Sequence, residues 1–322
     1  MIKNLPQRPD APLNVGVSRC LLGDEVRYDG SGAKSSLPHA RLQGLFEFKD
    51  VCPEVGIGMS VPRPPIRLLQ RDDAIRVVGV QDPDIDVTEA LQDYATQHAA
   101  QSDDLAGFIF MHNSPSCGLY RVKVYGNPDQ PGERRGRGMF AQTFTDALPN
   151  LPVEDAGRLF DEVLRENFVT RVFAYAHWLK LCEDLTPAGL VAFHSAYKYL
   201  LMAHNVTAYK TCGQIVSNLG DDFAGRAQQY VAALMQGLAK PATRKGHANV
   251  LSHLQGYLKR RLDSASRQEL ADLISDYRRG EQPLLAPMTL LRHHLRENPD
   301  AYVEMQVYLH PHPQRAALRR NL

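Results

Sequence analysis

Short apolar runs separated by turns characterise the first 150 residues of the chain. Apolar residues are consecutive or alternate in 14–18, 51–55, 74–80 and 105–111, and glycine, proline or serine follows each run closely. Residues 86–98 instead have apolar positions at helical spacing, with acidic residues early in the segment. Runs of this kind are typical of strands, and their alternation with helical segments predicts an α/β domain with a mostly parallel sheet.

Beyond residue 150 the apolar pattern has the period of helices almost throughout. Helices are predicted over 168–181, 187–204 (with Thr186 as N-cap), 223–238, 247–262, 268–277 and 288–296. The Gly/Pro/Arg-rich segment 126–138 is predicted to be a loop. The sequence therefore predicts an N-terminal mostly parallel-sheet α/β domain over 1–152, followed by a C-terminal all-α domain over 153–322.

The composition changes this picture little. The chain has 322 residues, of which 43% are hydrophobic and 23% charged, as expected for a globular protein. No stretch approaches the roughly 18 consecutive apolar residues of a membrane helix, and the N-terminus lacks the apolar core of a signal peptide. We therefore expect a cytoplasmic protein without a membrane partner, whose five cysteines are thiols or metal ligands rather than disulfides.

The charge is distributed unevenly along the chain. Residues 1–150 contain 16 Lys+Arg against 19 Asp+Glu, a net charge of −3, whereas residues 151–322 contain 21 against 17, a net charge of +4. Basic clusters in the second half lie at 244–245, 259–261, 278–279, 292–296 and 315–320. A nucleic-acid surface needs such groups to neutralise phosphates, although clusters on helices are also common as solvated faces.

Three cysteines of the first domain have similar positions relative to the predicted strands. Cys20, Cys52 and Cys117 each lie at or just beyond the end of one, where groups in a parallel sheet converge on one crevice. Three thiolates suit an iron–sulfur cluster with one open iron, or a zinc site with an open position. Their spacing contains no CxxC pair, so three buried structural cysteines are an equal alternative. Cys182 and Cys212 lack such a pattern and are predicted to be packed or surface thiols.

The residues around these cysteines carry a resemblance to a known family. GVSRCLLGDEVRYDG around Cys20, VCPEV around Cys52 and NSPSCG around Cys117 resemble the TudS thiouracil desulfurase family over about residues 13–150. The helical segment 190–204 resembles the YbgA-like domain. The fusion of the two is similar to the RudS-type desulfidases, bacterial enzymes that act on 4-thiouridine in tRNA.

The resemblance implies both a cofactor and a reaction. Cys20, Cys52 and Cys117 would hold a 4Fe–4S cluster by three of its irons, and the open fourth iron would bind the thiocarbonyl sulfur as a Lewis acid. Water would attack the ring carbon, giving uridine or uracil without net redox chemistry. The implied substrates are 4-thiouridine in tRNA and free thiouracil or thiouridine. The oligomeric state is not predicted.

Further residues of the first domain are candidates for the site. Glu54, in the Cys-Pro-Glu motif, is predicted to activate the water or move protons, its alternative being a carboxylate of a turn or the surface. Ser114 and Ser116 are predicted to contact the substrate or the cluster sulfurs, or to form a turn. Arg19 and Arg27 are predicted to contact the base or order the loop around Cys20.

The remaining candidates are basic. Arg134 and Arg135 are predicted to contact phosphates beside the active site. Arg63 lies on a stiff proline-rich loop that could reach the site, but a solvated surface position is favoured for a lone arginine. Lys198, Arg244 and Lys245 are predicted tRNA contacts of the helical domain. A thiolated base would have to leave its stack, at a cost of about a few kcal/mol, and tRNA binding would offset that cost.

Two other functions stay open. In one, the enzyme acts on free thiouracil only, and the helical domain serves assembly or regulation. In the other, the protein is a non-catalytic nucleic-acid-binding module with structural or zinc-bound cysteines.

Overall fold

The computed structural model describes residues 5–127 and 131–313. The chain divides into two compact units, the first spanning Ala11–Asp161 and the second combining Met1–Asp10 with Glu162–Leu322. This division lies beyond the predicted boundary at residue 152, because residues 153–155 form a strand that pairs within the first unit.

The N-terminal residues belong to the helical unit, although the predicted boundary assigns them to the first domain. The carbonyl of Pro6 accepts a hydrogen bond from Nε2 of the buried His177 at 3.0 Å. Arg8 donates to the carbonyl of Pro311 at 2.6 Å. These contacts join residues far apart in sequence, so apolar spacing alone does not indicate them.

Strands in the described part of the first unit form two four-stranded sheets. They are β1 (Leu13–Ser18), β2 (Phe46–Val51), β3 (Ile66–Arg71), β4 (Ala74–Gly79), β5 (Gly107–Phe110), β6 (Val122–Tyr125), β7 (Glu133–Gly136) and β8 (Val153–Asp155). The first sheet has the order β2-β1-β5-β8, and all its neighbouring strands are parallel. The second has the order β4-β3-β6-β7 and is mixed. The predicted α/β class with a parallel sheet is confirmed.

The segment 126–138 is not wholly a loop, and the prediction was wrong on this point. Residues Glu133–Gly136 form β7, which pairs antiparallel with β6 at the edge of the second sheet. The first three of its four residues are exposed, because an edge strand can leave most of its side chains in water. Its charged composition therefore gave no apolar pattern from which to predict a strand.

Twelve α-helices occur in the described residues. The first unit contains α1 (His39–Leu42), α2 (Pro53–Gly56), α3 (Thr88–Ala99) and α4 (Met139–Ala147). The second contains α5 (Glu162–Cys182), α6 (Pro187–His204), α7 (Val206–Ser217), α8 (Phe223–Leu238), α9 (Arg244–Tyr257), α10 (Ser264–Arg279), α11 (Leu285–Glu297) and α12 (Ala301–Glu304). Short 3-10 turns occupy Arg19–Leu22, Lys34–Ser36, Ala156–Phe160 and Val307–Leu309.

The predicted all-α character of the second half is confirmed. Helices α6 and α8 begin and end at the predicted residues, and Thr186 accepts a hydrogen bond from the N–H of Gly189 as the predicted N-cap of α6. Helix α7 was not predicted, because only Cys212 and Ile215 of its residues are buried and its apolar stripe is narrow. No helix in the described ranges combines the length and the hydropathy needed to cross a membrane.

Candidate active site

The three cysteines of the first unit meet at the carboxyl edge of its parallel sheet. Cys20 lies in the 3-10 turn directly after β1, Cys52 follows β2, and Cys117 lies in the loop after β5. These three strands are neighbours in the order β2-β1-β5. All three cysteines line one cavity of about 450 Å³. The sheet topology therefore produces the convergence that the strand positions predicted.

The cysteines are free thiols in a largely buried environment. Burial, reinforced by the neighbouring Cys52, raises the pKa of the Cys20 thiol to about 11, and the positive charge of Arg27 opposes this rise. Burial also raises the pKa of Cys52. It raises the pKa of Cys117 well above the usual thiol value, against a hydrogen bond from Ser18. Without a bound cation, the folded unit thus favours the neutral thiols.

The separation of the sulfur atoms distinguishes between kinds of metal centre. Among the described residues, the only three ligand atoms that lie within 4.8 Å of one another belong to His293, His294 and Glu297. At least one pair of sulfurs among the three cysteines is therefore more than 4.8 Å apart. A tetrahedral zinc ion with Zn–S bonds of about 2.3 Å would need its sulfurs about 4 Å apart. The wider spread and the cavity between the thiols fit a larger group, such as an iron–sulfur cluster.

Glu54 is held at the cavity by two polar side chains. It lies in the first turn of α2, just after Cys52, and lines the cavity. Its Oε1 accepts a hydrogen bond from Ser116 Oγ at 2.8 Å, and its Oε2 accepts one from Arg63 Nε at 2.7 Å and another from Arg63 Nη2. The carboxylate therefore has a fixed orientation beside the three thiols.

Arg63 is not a surface residue, and the prediction was wrong in this respect. Its side chain is 3% exposed, and it forms an ion pair with Glu54. Its Nη1 also donates to the carbonyl of Ser60 at 3.2 Å. The guanidinium on the proline-rich loop turns inward and pairs with a carboxylate whose side chain is only 14% exposed, so neither charge is buried alone. The sequence placed both residues in the same domain, but it contained no local pattern that paired them.

The two serines beside Cys117 have different roles in the fold. Ser114 Oγ accepts hydrogen bonds from the N–H groups of Ser116 at 3.2 Å and Cys117 at 3.0 Å, so it forms the turn. Ser116 is fully buried and donates to Glu54. The turn-forming alternative therefore describes Ser114, whereas Ser116 positions the carboxylate.

Gly138 lets the loop that carries Cys117 pack closely against α4. A Cβ at this position would lie 2.5 Å from the carbonyl oxygen of Ser116 and 2.6 Å from the nitrogen of Gly118. The N–H of Gly138 donates to the carbonyl of Gly118 at 2.7 Å. Because these contacts are with backbone atoms, a side chain here would displace the Cys117 loop.

Two family models match this chain. The family model described as 2-thiouracil desulfurase matches residues 15–156, and the model described as a protein of unknown function, DUF1722, matches residues 198–313. The uncharacterized protein YbbK of Bacillus subtilis (strain 168) is 33% identical over 111 residues, 32% of this chain and 71% of YbbK. The chain belongs to the 2-thiouracil desulfurase family. In this chain the desulfurase domain is fused to a DUF1722 domain.

Two further proteins are similar to this member of the desulfurase family. The uncharacterized protein YbgA of Escherichia coli (strain K12) is 38% identical over 162 residues, 48% of this chain and 94% of YbgA. Among solved structures, the [4Fe-4S]-dependent thiouracil desulfidase TudS aligns with a TM-score of 0.35 and 24% identity. That alignment covers 46% of this chain and 93% of TudS.

The two arginines near Cys20 in this desulfurase domain both line the cysteine cavity. Arg19 forms ion pairs with Asp24 at 2.7 Å and Asp50 at 3.2 Å, so its charge is largely matched. Arg27 is half-buried, and its charge lowers the pKa of Cys20. Of the two, Arg27 is therefore the better placed to meet an anionic group in the cavity.

The adjacent arginines of β7 are separated by the structure. Arg134 lines two recesses next to the cysteine cavity and donates to Asn113 Oδ1 at 3.3 Å. Arg135 lines neither recess, donates to Gln70 Oε1 at 2.9 Å and forms an ion pair with Glu133 at 3.3 Å. Alternate residues of a strand point to opposite faces, which explains why only Arg134 comes near the site.

Three residues of the DUF1722-containing unit were predicted to contact RNA, and two of them interact with neighbouring residues of the same unit. Lys198 Nζ lies 4.9 Å from the ring centroid of Tyr199 and 4.8 Å from that of Tyr302. Arg244 donates to the carbonyl of Tyr277 at 3.2 Å and lies over its ring. Lys245 is exposed in the first turn of α9.

One further basic cluster and two cysteines were also predicted in the second half of the chain. The cluster at 315–320 lies outside the described residues. Cys182 is exposed and Cys212 is buried, in agreement with the prediction of surface and packed thiols.

Proposed function

We propose that this protein is a 4Fe–4S-dependent, non-redox desulfidase that converts 4-thiouridine in tRNA to uridine and also acts on free thiouracil and thiouridine. The observation that carries the proposal is the convergence of three thiols and one oriented carboxylate on a single cavity, in a chain of the 2-thiouracil desulfurase family. A cavity of about 450 Å³ lies within the range usual for small-molecule sites, about 300–1,000 Å³.

The donor set of the cavity fits the cofactor. Cys20, Cys52 and Cys117 would hold the cluster, because the cavity between the three thiols leaves room for a group larger than a single ion. When bound, such a cluster supplies one iron without a protein ligand, which acts as a Lewis acid towards the substrate sulfur. Glu54 and Arg27 lie on the walls of the same cavity, where they can act on the rest of the substrate.

The overall reaction exchanges sulfur for oxygen. Water supplies the oxygen that forms the new carbonyl, the C=S bond breaks, and both protons of the water leave with the sulfide. The oxidation state of the ring carbon does not change, so no external electron donor is needed. The protein's task is to take a proton from the water as it attacks and to return it to a leaving or ring atom.

Glu54 is the group proposed for this proton transfer. Arg63 occupies Oε2, and Ser116 occupies one acceptor position of Oε1, which leaves Oε1 able to accept a further hydrogen bond. Water bound there would lie beside the cluster-binding thiols. Arg63 and Ser116 are thus positioning residues, which hold the carboxylate in this orientation.

Exposed cations of the helical unit support the tRNA part of the proposal. Lys245, Lys259, Arg260 and Arg278 are all exposed, in a half of the chain whose net charge is +4. Such side chains bind nucleic acid by releasing counterions from its phosphates. The alternative, in which the enzyme acts on free thiouracil only, requires no such surface.

Anaerobic reconstitution of the full chain tests the cofactor. We expect wild-type protein to bind iron and sulfide in a ratio typical of a 4Fe–4S cluster, and the Cys20→Ala, Cys52→Ala and Cys117→Ala variants to lose most of both. Cys182→Ala is the matched control, since this thiol is exposed and lies in the other unit. Equal loading of the wild type and a variant with all three replacements would contradict the proposal and favour structural cysteines.

Salt-dependent tRNA binding tests the partner. Replacement of Lys245, Lys259, Arg260 and Arg278 by glutamine should weaken binding and reduce the salt slope by about one for each phosphate that is no longer neutralised. Arg279→Gln is the control, because Arg279 is already paired with Asp276 and Glu281. Unchanged affinity and slope in the fourfold variant, with activity on free thiouracil retained, would favour the free-base enzyme.

A further inference from the structure

Three potential metal ligands lie close together near the end of α11, in the helical unit. A ring nitrogen of His293, a ring nitrogen of His294 and a carboxylate oxygen of Glu297 are all within 4.8 Å of one another. Nε2 of His293 is 3.5 Å from Oε1 of Glu297. None of the three residues lines the cysteine cavity, so the group is distinct from the site of the first unit.

The spacing of His293 and Glu297 suits chelation of a metal ion. Residues four apart in a helix are neighbours on its surface, with Cβ atoms about 5–6 Å apart, so the two side chains can hold one ion between them without bending α11. Around zinc, with bonds of about 2.0–2.1 Å, neighbouring ligand atoms of a tetrahedron are about 3.3 Å apart. The 3.5 Å between Nε2 and Oε1 is close to this value.

The approach of His294 to this pair is unusual for a helix, because consecutive residues of a helix do not face each other. The ring centroids of His293 and His294 are nevertheless 5.5 Å apart, with an angle of 56° between the ring planes. Each ring brings a nitrogen to within 4.8 Å of the same carboxylate. The end of α11 thus offers three donor atoms, rather than two, to one point.

The ring of His294 is buried and incompletely paired. It is 7% exposed, and its buried Nε2 has no hydrogen-bond partner within 5–127 and 131–313. Buried polar side chains are normally paired, and a bound ion is one of the explanations for an exception. His293 and Glu297 alone would form an ordinary exposed pair of little energetic value. The unpaired buried ring beside them distinguishes this group from such a pair.

The electrostatics at this end of α11 also favour a cation. The C-terminus of a helix carries a partial negative charge, and α11 ends at Glu297. Imidazole binds metals in its neutral form, so the three ligands have a net charge of −1. Arg296 opposes a cation, but it is exposed and its charge is screened by water and salt. Arg292 donates a hydrogen bond to the carbonyl of Leu309.

We propose that His293, His294 and Glu297 bind a divalent transition-metal ion such as zinc. Two imidazole nitrogens and one carboxylate oxygen are a donor set that zinc uses in proteins, whereas magnesium prefers oxygen ligands alone. Three protein ligands leave at least one coordination position to water, as in zinc sites that are not purely structural. The inference does not depend on the desulfidase reaction.

Zinc binding by the untagged, reconstituted full-length protein tests this inference. Anaerobic equilibrium dialysis against zinc, followed by elemental analysis, gives the zinc bound per chain and its Kd. We expect His293→Ala and Glu297→Ala to bind this zinc about tenfold or more weakly than the wild type, because even the loss of a residue that only orients a ligand costs about 10–100-fold. Both side chains are exposed, so these variants should keep the core of the unit intact.

His253→Ala is the matched control, because His253 is an exposed histidine of the same unit that lies outside the group. X-ray absorption at the zinc edge gives a second readout, which the iron of a cluster does not disturb. We expect nitrogen and oxygen neighbours at about 2.0–2.2 Å, with two imidazoles in the wild type and one in His293→Ala. Zinc bound by cysteines would instead show sulfur at about 2.3 Å.

Weaker zinc binding in both ligand variants, with wild-type binding in His253→Ala, supports the site. Equal affinity of the wild type and the two ligand variants overturns the inference, and so does an equal loss in His253→Ala. A wild-type zinc environment made only of sulfur overturns it as well. Displacement of the zinc by an equal concentration of magnesium would also contradict it, since a carboxylate alone would then account for the binding. All these results are read from zinc, so a failure of the desulfidase assay leaves them unchanged.

Discussion

Replacing Glu54 by glutamine separates its chemistry from its packing. In the wild type, Oε1 accepts from Ser116 at 2.8 Å and Oε2 accepts from Arg63 at 2.7 Å. A glutamine can present its carbonyl to Arg63 and its amide to Ser116, whose hydroxyl can accept as well as donate. The side chain therefore keeps its neighbours and loses mainly the ability to take a proton.

The expected loss follows from the role assigned to Glu54. A positioned general base contributes about 10²–10⁴-fold to a rate, so Glu54→Gln should lower kcat by that factor, or about 3–5 kcal/mol in the barrier. Ser116→Ala removes one hydrogen bond to a charged group, about 1.5–3 kcal/mol, and leaves the base in place. Its kcat should fall by about tenfold to a hundredfold, less than in Glu54→Gln.

The assay follows the loss of thiocarbonyl absorbance of free 4-thiouracil, with rates normalised to the iron content of each sample. Glu47→Gln is the control, because Glu47 is an exposed residue of β2 that pairs with Lys49 outside the cavity. If Glu54→Gln keeps more than a third of the wild-type kcat at full iron content, the role of Glu54 is refuted. A loss of activity in proportion to a loss of iron would instead indicate a structural role for Glu54.

Three further predictions concern the fold around the site and in the helical unit. Arg63→Met should lower the free energy of unfolding by about 3–5 kcal/mol in urea titrations, because it leaves the carboxylate of Glu54 unpaired; a change below about 1 kcal/mol would show that the pair is not structural. Burial lowers the pKa of His177 to about 4, so the folded state binds fewer protons than the unfolded state between pH 4 and 6.5. Stability should therefore fall by about 3 kcal/mol as the pH drops through that window, and His177→Asn should flatten the profile; parallel profiles would contradict this. Gly138→Ala should reduce bound iron, measured per chain after reconstitution, whereas Gly126→Ala, with no atom within 4 Å of the new Cβ, should load normally.

The convergence of the cysteines could be predicted because it depends on topology. Each thiol follows a strand, and parallel neighbours must end at the same edge of the sheet. The strand 105–111, the helix 187–204 and the helix 223–238 were predicted for a related reason: their apolar residues are consecutive or periodic, and most become buried. The local sequence pattern is sufficient to predict a helix or strand when the apolar residues of that element themselves determine which side chains are buried.

The partners of the site residues could not be predicted in this way. Arg63 and Ser116 each donate a hydrogen bond to Glu54, and Ser116 lies 62 residues from Glu54 in the sequence. No periodicity of the sequence encodes either pair. Strand β7 is charged and lies at an edge, so its hydrogen bonds with β6 rather than its composition define it.

Removal of sulfur from 4-thiouridine in tRNA is the activity proposed for this protein. Mass spectrometry of nucleosides from thiolated tRNA, after anaerobic incubation with the reconstituted full-length protein, tests it most directly. We expect 4-thiouridine to decrease, with a matching gain of uridine and release of one sulfide for each base converted. The variant lacking Cys20, Cys52 and Cys117 should convert none. Unchanged 4-thiouridine in the presence of a fully loaded wild-type protein would contradict the account.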